Sequence, residues 1–321
     1  MSIVAPAEPS AIHRVTCTHP GGTHRMAWRE WLPVDQAERG TVVCVHGLTR
    51  NGGDFDHLAG KLALDGYRVV CPDIVGRGLS ERMPNAGLYD IPQYAADCVT
   101  LLDALGRERV DWVGTSLGGL IGMAIIGGAE RGPGTPAIGR LLLNDIGPVL
   151  AREGLRRISG YVGDGRCYPD FATAEAALRE RMVSFGSHDD EAFRLLSRHY
   201  FVERDGGWFA HYDPAIASAF SAMPDEEVSM WPLWYAIDCP VMVLRGEESD
   251  LLDAATARLM VCGGPDGSGP RAELVTVAGV GHAPTLIADD QIAVVRRFLG
   301  AAETGADDAS ASGRRLEGVF D

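Results

Sequence analysis

Short continuous apolar runs recur along the chain at residues 41–45, 67–71, 110–113, 140–144, 240–246 and 273–277. Runs of this length that do not alternate with polar positions mark strands covered on both faces. Between them lie stretches with apolar residues at helical spacing. In 54–66 these are Phe55, Leu58, Leu62 and Leu64; in 94–105 they are Tyr94, Cys98, Leu101, Leu102 and Leu105. Further helices are expected over 117–129, 254–262 and 290–299. Strand and helix in alternation predict an α/β fold with a largely parallel sheet and helices on both faces. At the start, residues 1–10 read as a loose arm. Two extended segments flanking His19-Pro20-Gly21-Gly22 read as a β-hairpin.

The rhythm changes after Ile146-Gly147-Pro148. From 149 to 235 no strand-like apolar run occurs, two segments (174–184 and 190–200) look helical, and the aromatic residues are concentrated. This predicts a helical cap inserted into the sheet domain, so that 11–148 and 236–300 form the core and 149–235 the cap. Some of the cap aromatics, Trp231 and Trp234 among them, are candidates to line a pocket. Residues 301–321 are small and polar and are expected to be a disordered tail.

Composition narrows the partners. Hydrophobic residues make up 46% of the chain and charged ones 23%, which places it among ordinary globular proteins. The formal net charge of −15, with no basic run to offset it, argues against nucleic acid or an anionic membrane as partner. No apolar stretch approaches the roughly 20 residues needed to span a bilayer, and no apolar signal segment opens the chain. The seven cysteines are dispersed, without a CxxC pair or a Cys/His cluster. They read as reduced thiols in a cytoplasmic protein, and no metal or other cofactor is expected. The expected partner is a small-molecule substrate.

The candidate chemistry sits at strand ends. Gly114-Thr115-Ser116-Leu117-Gly118-Gly119 fits Gly-x-Ser-x-Gly between a predicted strand and a predicted helix. Such a turn lifts the serine hydroxyl clear of the backbone and brings the Leu117 N–H, at a helix N-terminus, towards a developing oxyanion. Asp250 and His282 follow the last two predicted strands, and catalytic groups of open α/β sheets gather at the carboxyl ends of strands. Serine needs an adjacent base, which His282 would supply, and the base needs a carboxylate to orient it. Asp250 is the expected acid. Glu247 and Glu248 share its loop, and Asp145, which ends the preceding strand, is the alternative.

In this order, Ser116, Asp250 and His282 resemble the triad of the α/β-hydrolase fold, in enzymes of the single-chain esterase, lactonase and C–C hydrolase type. The likeness spans about residues 25–300. It implies a mostly parallel eight-stranded sheet with a helical cap. It also implies that His46-Gly47-Leu48 is the oxyanion loop, so that the N–H groups of Leu48 and Leu117 would pair around the oxyanion. His46 would brace that loop rather than act as a base, and it is also a candidate to contact substrate. Arg50 and Asp54 beside it could contact substrate, or form a local ion pair or a helix cap. The leading expectation is a serine hydrolase cleaving a small to medium, fairly apolar carboxylic ester through an acyl-enzyme. A C–C bond hydrolase or enol-lactonase with the same triad is the alternative. Either of those would need cationic groups near the serine, for which Arg50, Arg77, Arg181 and Arg194 are candidates. A non-catalytic binding protein and a cofactorless oxygenase or perhydrolase are the remaining readings of this fold.

Overall fold

The computed structural model describes residues 8–128, 134–221 and 227–300. The expected tail at 301–321 and most of the expected N-terminal arm lie outside them. The chain opens with a hairpin, β1 (Ala11–His19) and β2 (Gly22–Trp31), turning where the Pro-Gly-Gly signal stands. Then strands and helices alternate: β3 (Gly40–Val45), α1 (Asp56–Leu64), β4 (Tyr67–Asp73), α2 (Ile91–Leu105), β5 (Arg109–Thr115), α3 (Leu117–Gly127) and β6 (Ala137–Asn144). After an insertion the pattern resumes with β12 (Val241–Gly246), α9 (Ala254–Cys262), β13 (Glu273–Val277) and α10 (Asp289–Leu299). Together these strands form one eight-stranded sheet in the order β1-β2-β4-β3-β5-β6-β12-β13. It is parallel from β4 to β13, and only β2 runs against its neighbours.

Local chemistry sets the element ends. The α2 helix starts at Ile91, three residues before the expected start at Tyr94, because the Asp90 carboxylate accepts the Gln93 N–H at 2.8 Å and Pro92 fits the first turn. It stops at Gly106, whose φ of 61° suits a residue without a Cβ. The expected helix at 54–66 begins as a 3-10 turn, Gly52–Phe55, capped by the Asn51 side chain, before α1 proper.

Residues between β6 and β12 stack over the carboxyl ends of the central strands. They comprise β7 (Val149–Leu150), α4 (Arg152–Ser159), β8 (Cys167–Tyr168), α5 (Phe171–Arg181), α6 (Asp190–Arg198), β9 (Phe201–Arg204), β10 (Gly207–Ala210), α7 (Ser218–Ser221), β11 (Val228–Ser229) and α8 (Trp231–Tyr235). The helical reading of this stretch missed a three-stranded sheet, β8-β10-β9, and a ribbon, β7-β11. These strands are two to four residues long, too short for a period to show. Phe171, Tyr200, Phe201, Trp208 and Tyr168 meet edge to face within this layer.

One face of the main sheet packs on α2 and α3, continuous with the aromatic layer; the other packs on α1 and α10. Trp112, Leu141 and Leu143 are fully buried on the first side, Val42, Val113 and Leu142 on the second. Such residues, buried on both faces, are why the strands read as unbroken apolar runs. Polar ties fix the inserted layer to the sheet domain. Arg198 and His199 both reach Asp56 at the start of α1, at 2.6 and 2.7 Å, and Asn51 Nδ2 donates to the His199 carbonyl at 2.6 Å. Among the described residues no helix is long and apolar enough to cross a membrane.

Candidate active site

Ser116 stands at the sharp junction of β5 and α3 with φ 52° and ψ −115°, a conformation that side-chain-bearing residues rarely adopt. The turn closes because its neighbours lack side chains. A Cβ on Gly114 would lie 2.4 Å from the Gly119 nitrogen, and one on Gly118 would lie 2.0 Å from the Val45 carbonyl oxygen. The serine Oγ is left to face the imidazole of His282, and its hydroxyl donates to Nε2 at 2.9 Å. Nδ1–H of His282 in turn donates to Asp145 Oδ2 at 2.7 Å.

The carboxylate on His282 is therefore that of Asp145, not Asp250 as the loop pattern led us to expect. Two features account for the difference. Asp145 directly follows β6 with φ 56°, which turns its side chain towards the loop after β13. The loop after β12 then supplies its other partners: Gly246 N–H donates to Oδ1 at 2.8 Å and the Ser249 hydroxyl to Oδ2 at 2.6 Å. Asp145 is fully buried, so these donors compensate for lost water. Asp250 faces the other way. It accepts both Nε and Nη2 of Arg157, at 2.5 and 2.8 Å, an ion pair between the β12 loop and α4. Burial raises its pKa, but the hydrogen bonds and charge of Arg157 outweigh this and hold the carboxyl below its ordinary value. Close approach of α4 makes this pair possible: a Cβ on Gly154, one turn before Arg157, would sit 2.8 Å from the Asp250 carbonyl oxygen. Ser249 and Arg157 were both missed in the sequence, since neither stands in a motif and Arg157 is 93 residues from its partner.

The His46-Gly47-Leu48 loop lies against the serine, with Gly47 beside the Ser116 side chain. Two buried side chains hold it. His46 donates from Nδ1 to the Gly47 carbonyl at 2.7 Å and accepts the Ile74 N–H on Nε2 at 2.9 Å. Arg77 is 1% exposed and donates from Nε to the Leu48 carbonyl at 2.9 Å, while Nη1 reaches the Val75 carbonyl and the Tyr94 hydroxyl. Among the described residues the N–H groups of Leu48 and Leu117 donate to no protein acceptor. His46 was a candidate for contact with substrate; the structure buries it beneath the loop instead, with both ring nitrogens engaged by backbone. Burial lowers its pKa from 6.5 to about 4, against the opposing pull of the Gly47 carbonyl and Asp73.

That shift has a measurable sign. The unfolded chain takes up a proton at His46 near pH 6.5, and the folded chain only near pH 4. The stability tied to neutral His46 is thus complete above pH 6.5 and is lost as pH falls towards 4. From the shift we expect a loss on the order of 3 kcal/mol across this window. Urea unfolding of wild type and His46→Gln between pH 7.5 and 4 checks it. The stability gap between the two should narrow as pH falls, and a constant gap would refute the linkage.

Above Ser116 opens a cavity of about 680 Å³, its mouth included. Leu48, Ile158, Leu178, Met182, Phe185 and the rings of Tyr161 and Tyr200 make it largely apolar. Arg50, Arg157 and Arg181 stand among them. Arg50 forms the local ion pair foreseen for this loop, with two bonds of 2.6 Å to Asp54, and it also donates to the Leu196 carbonyl. Trp231 and Trp234 are not part of the cavity. Their helix α8 packs on α3, where the small Gly127 admits Leu233, and Trp234 is fully buried. A run of large apolar residues with helical spacing marks burial; it does not say which surface is buried.

The fold is shared with known proteins. Residues 42–297 match the model of a family described as the alpha/beta hydrolase family. The chain belongs to the alpha/beta hydrolase family. Among curated relatives of this hydrolase, the 3-hydroxybutyrate-oligomer hydrolase of Cupriavidus necator is 43% identical over 294 residues, which cover 89% of this chain and 96% of that protein. A 2-(acetamidomethylene)succinate hydrolase of Mesorhizobium japonicum is 28% identical over 74% of this chain and 79% of that one. A crystal structure of an alpha/beta hydrolase from Novosphingobium aromaticivorans superposes with a TM-score of 0.78 at 36% identity, covering 92% of this chain and all of that one.

Proposed function

We propose that this hydrolase cleaves carboxylic esters through an acyl-enzyme, and that its substrates are short oligoesters of a hydroxyalkanoic acid. The unbroken hydrogen-bond chain Ser116–His282–Asp145 at the floor of the apolar cavity carries the reading. Ser116 Oγ attacks the ester carbonyl while His282 Nε2 takes its proton; Asp145 keeps the ring in the Nδ1–H tautomer and stabilises the imidazolium. The N–H groups of Leu48 and Leu117 receive the oxyanion, each worth on the order of 3 kcal/mol in the transition state. The proton passes from His282 to the departing alkoxide. Water, deprotonated by the same imidazole, then releases the acid and restores Ser116. The relative from Cupriavidus necator, similar over nearly its whole length, supports an oligoester as substrate. The cavity suits it, because its walls are largely aliphatic and aromatic.

Incubation with 3-hydroxybutyrate dimer and trimer, with monomer release followed by chromatography, tests the substrate. A fluorophosphonate should label Ser116 in the same preparation. Labelling without monomer release would confine the reading to simpler esters. No label on folded enzyme would remove the acyl-enzyme mechanism.

A further inference from the structure

Three arginines line the cavity, and they are not equivalent. Arg50 is spent: Nε and Nη2 are taken by Asp54 and the Leu196 carbonyl, Nη1 lies by the Met182 sulfur, and the guanidinium stacks on the Tyr200 ring. Arg157 and Arg181 differ from it. Arg157 gives Asp250 one edge of its guanidinium, Nε with Nη2, and its other side-chain partner is the Tyr161 hydroxyl at the cavity. Arg181 donates only from Nη2, to Asp164 at 2.6 Å and more weakly to the Tyr168 hydroxyl at 3.4 Å; its Nε and Nη1 engage no described residue. Both side chains are partly open, at 35% and 25% exposure, and both border the cavity that holds Ser116 and His282. Tyr161 borders the same cavity, in hydrogen-bonding reach of Arg157 and within range of the Arg181 charge, and burial raises its pKa so that it stays a neutral donor.

We propose that Arg157 and Arg181, with the Tyr161 hydroxyl, form a subsite for a carboxylate of the substrate. The inference deepens the ester-hydrolase reading and rests on it. Each guanidinium is held from one side by an aspartate, which fixes its direction without using the donors on the opposite edge. An anion held there lies against an apolar wall formed by Ile158 and Leu178, where water competes weakly. In an oligoester of a hydroxy acid, one chain end is a free carboxylate, one hydroxy-acid unit from the last ester carbonyl. Seating that carboxylate on the arginines brings the last ester to Ser116. The enzyme then removes the carboxyl-terminal unit as the leaving alcohol, one unit per acyl-enzyme cycle. Neutral esters of the same shape lack the anchor.

The experiment compares the free acid of 3-hydroxybutyrate dimer with its methyl ester, a matched anionic and neutral pair. Wild type should favour the free acid in kcat/KM by about 10- to 100-fold, the usual worth of a charge-assisted hydrogen-bond pair. In Arg181→Met and Arg157→Met this ratio should collapse, chiefly through KM for the acid, and Arg181→Lys should restore part of it. A measurement on wild type alone guards against misfolded variants. 3-Hydroxybutyrate should inhibit hydrolysis of p-nitrophenyl butyrate competitively, and neutral 3-hydroxybutyramide should not. Equal kcat/KM for acid and methyl ester, a preference that survives both Met substitutions, or equal inhibition by acid and amide would each overturn the subsite while leaving the esterase intact. Failure to hydrolyse any of the esters, p-nitrophenyl butyrate included, would overturn the ester-hydrolase reading and the subsite with it.

Discussion

Ser116→Ala should lower kcat for p-nitrophenyl butyrate by about a million-fold, the loss typical of removing a triad nucleophile. The hydroxyl is the group that His282 Nε2 faces, so the variant leaves the base without its partner. The folded state should survive. The serine side chain makes no capping bond to α3, and alanine has the same steric conflict at φ 52° that serine already tolerates. The thermal midpoint should therefore move by only a few degrees while turnover vanishes. Adding His282→Ala to this variant should cost little more, because groups that act as one unit are not additive. Turnover within tenfold of wild type would place the nucleophile elsewhere.

The second large effect separates the two aspartates. Asp145→Asn should reduce kcat by on the order of 10,000-fold. An amide at this position can present its NH2 to His282 and hold the ring in the wrong tautomer. Gly246 N–H and the Ser249 hydroxyl, which donate to the carboxylate at 2.8 and 2.6 Å, would also face a neutral acceptor of weaker pull. Asp250→Asn should be mild on the same neutral ester, within about tenfold, since its carboxylate bonds to Arg157 and not to the imidazole. Steady-state kinetics of the two variants side by side decide it. A loss from Asp250→Asn as great as that from Asp145→Asn would show that the resting geometry is not the working one. The carboxyl end of β6 and the carboxyl end of β12 thus each carry an aspartate at the site, one turned to the base and one to the inserted layer.

Several elements were legible in advance because their cause is local. The strands of the parallel sheet announce themselves through continuous apolar runs, as both their faces are covered. The elbow at Ser116 is legible because only glycine fits at 114 and 118, where backbone atoms approach within 2.0 to 2.4 Å of a notional Cβ. His282 and the 46–48 loop follow from their places at strand ends. What failed was the choice between carboxylates. Asp145 and Asp250 both follow a strand, and the decision lies in a backbone turn at φ 56° and in an arginine distant along the chain. The tryptophans failed for a related reason: apolar spacing reports that a face is buried, and Trp231 and Trp234 bury theirs against α3 rather than over the serine.

The sequence by itself determined the class of fold and the sharp turn that presents Ser116, since glycine sterics and apolar periodicity act between near neighbours in the chain. Only the tertiary structure decided which carboxylate serves His282, which aromatics border the cavity and which arginines keep donors open towards it. The choice of carboxylate depends on side chains brought together from 93 residues apart, for Arg157 and Asp250, and 137 apart, for Asp145 and His282, where direction and distance settle the chemistry and spacing along the chain carries no information about either.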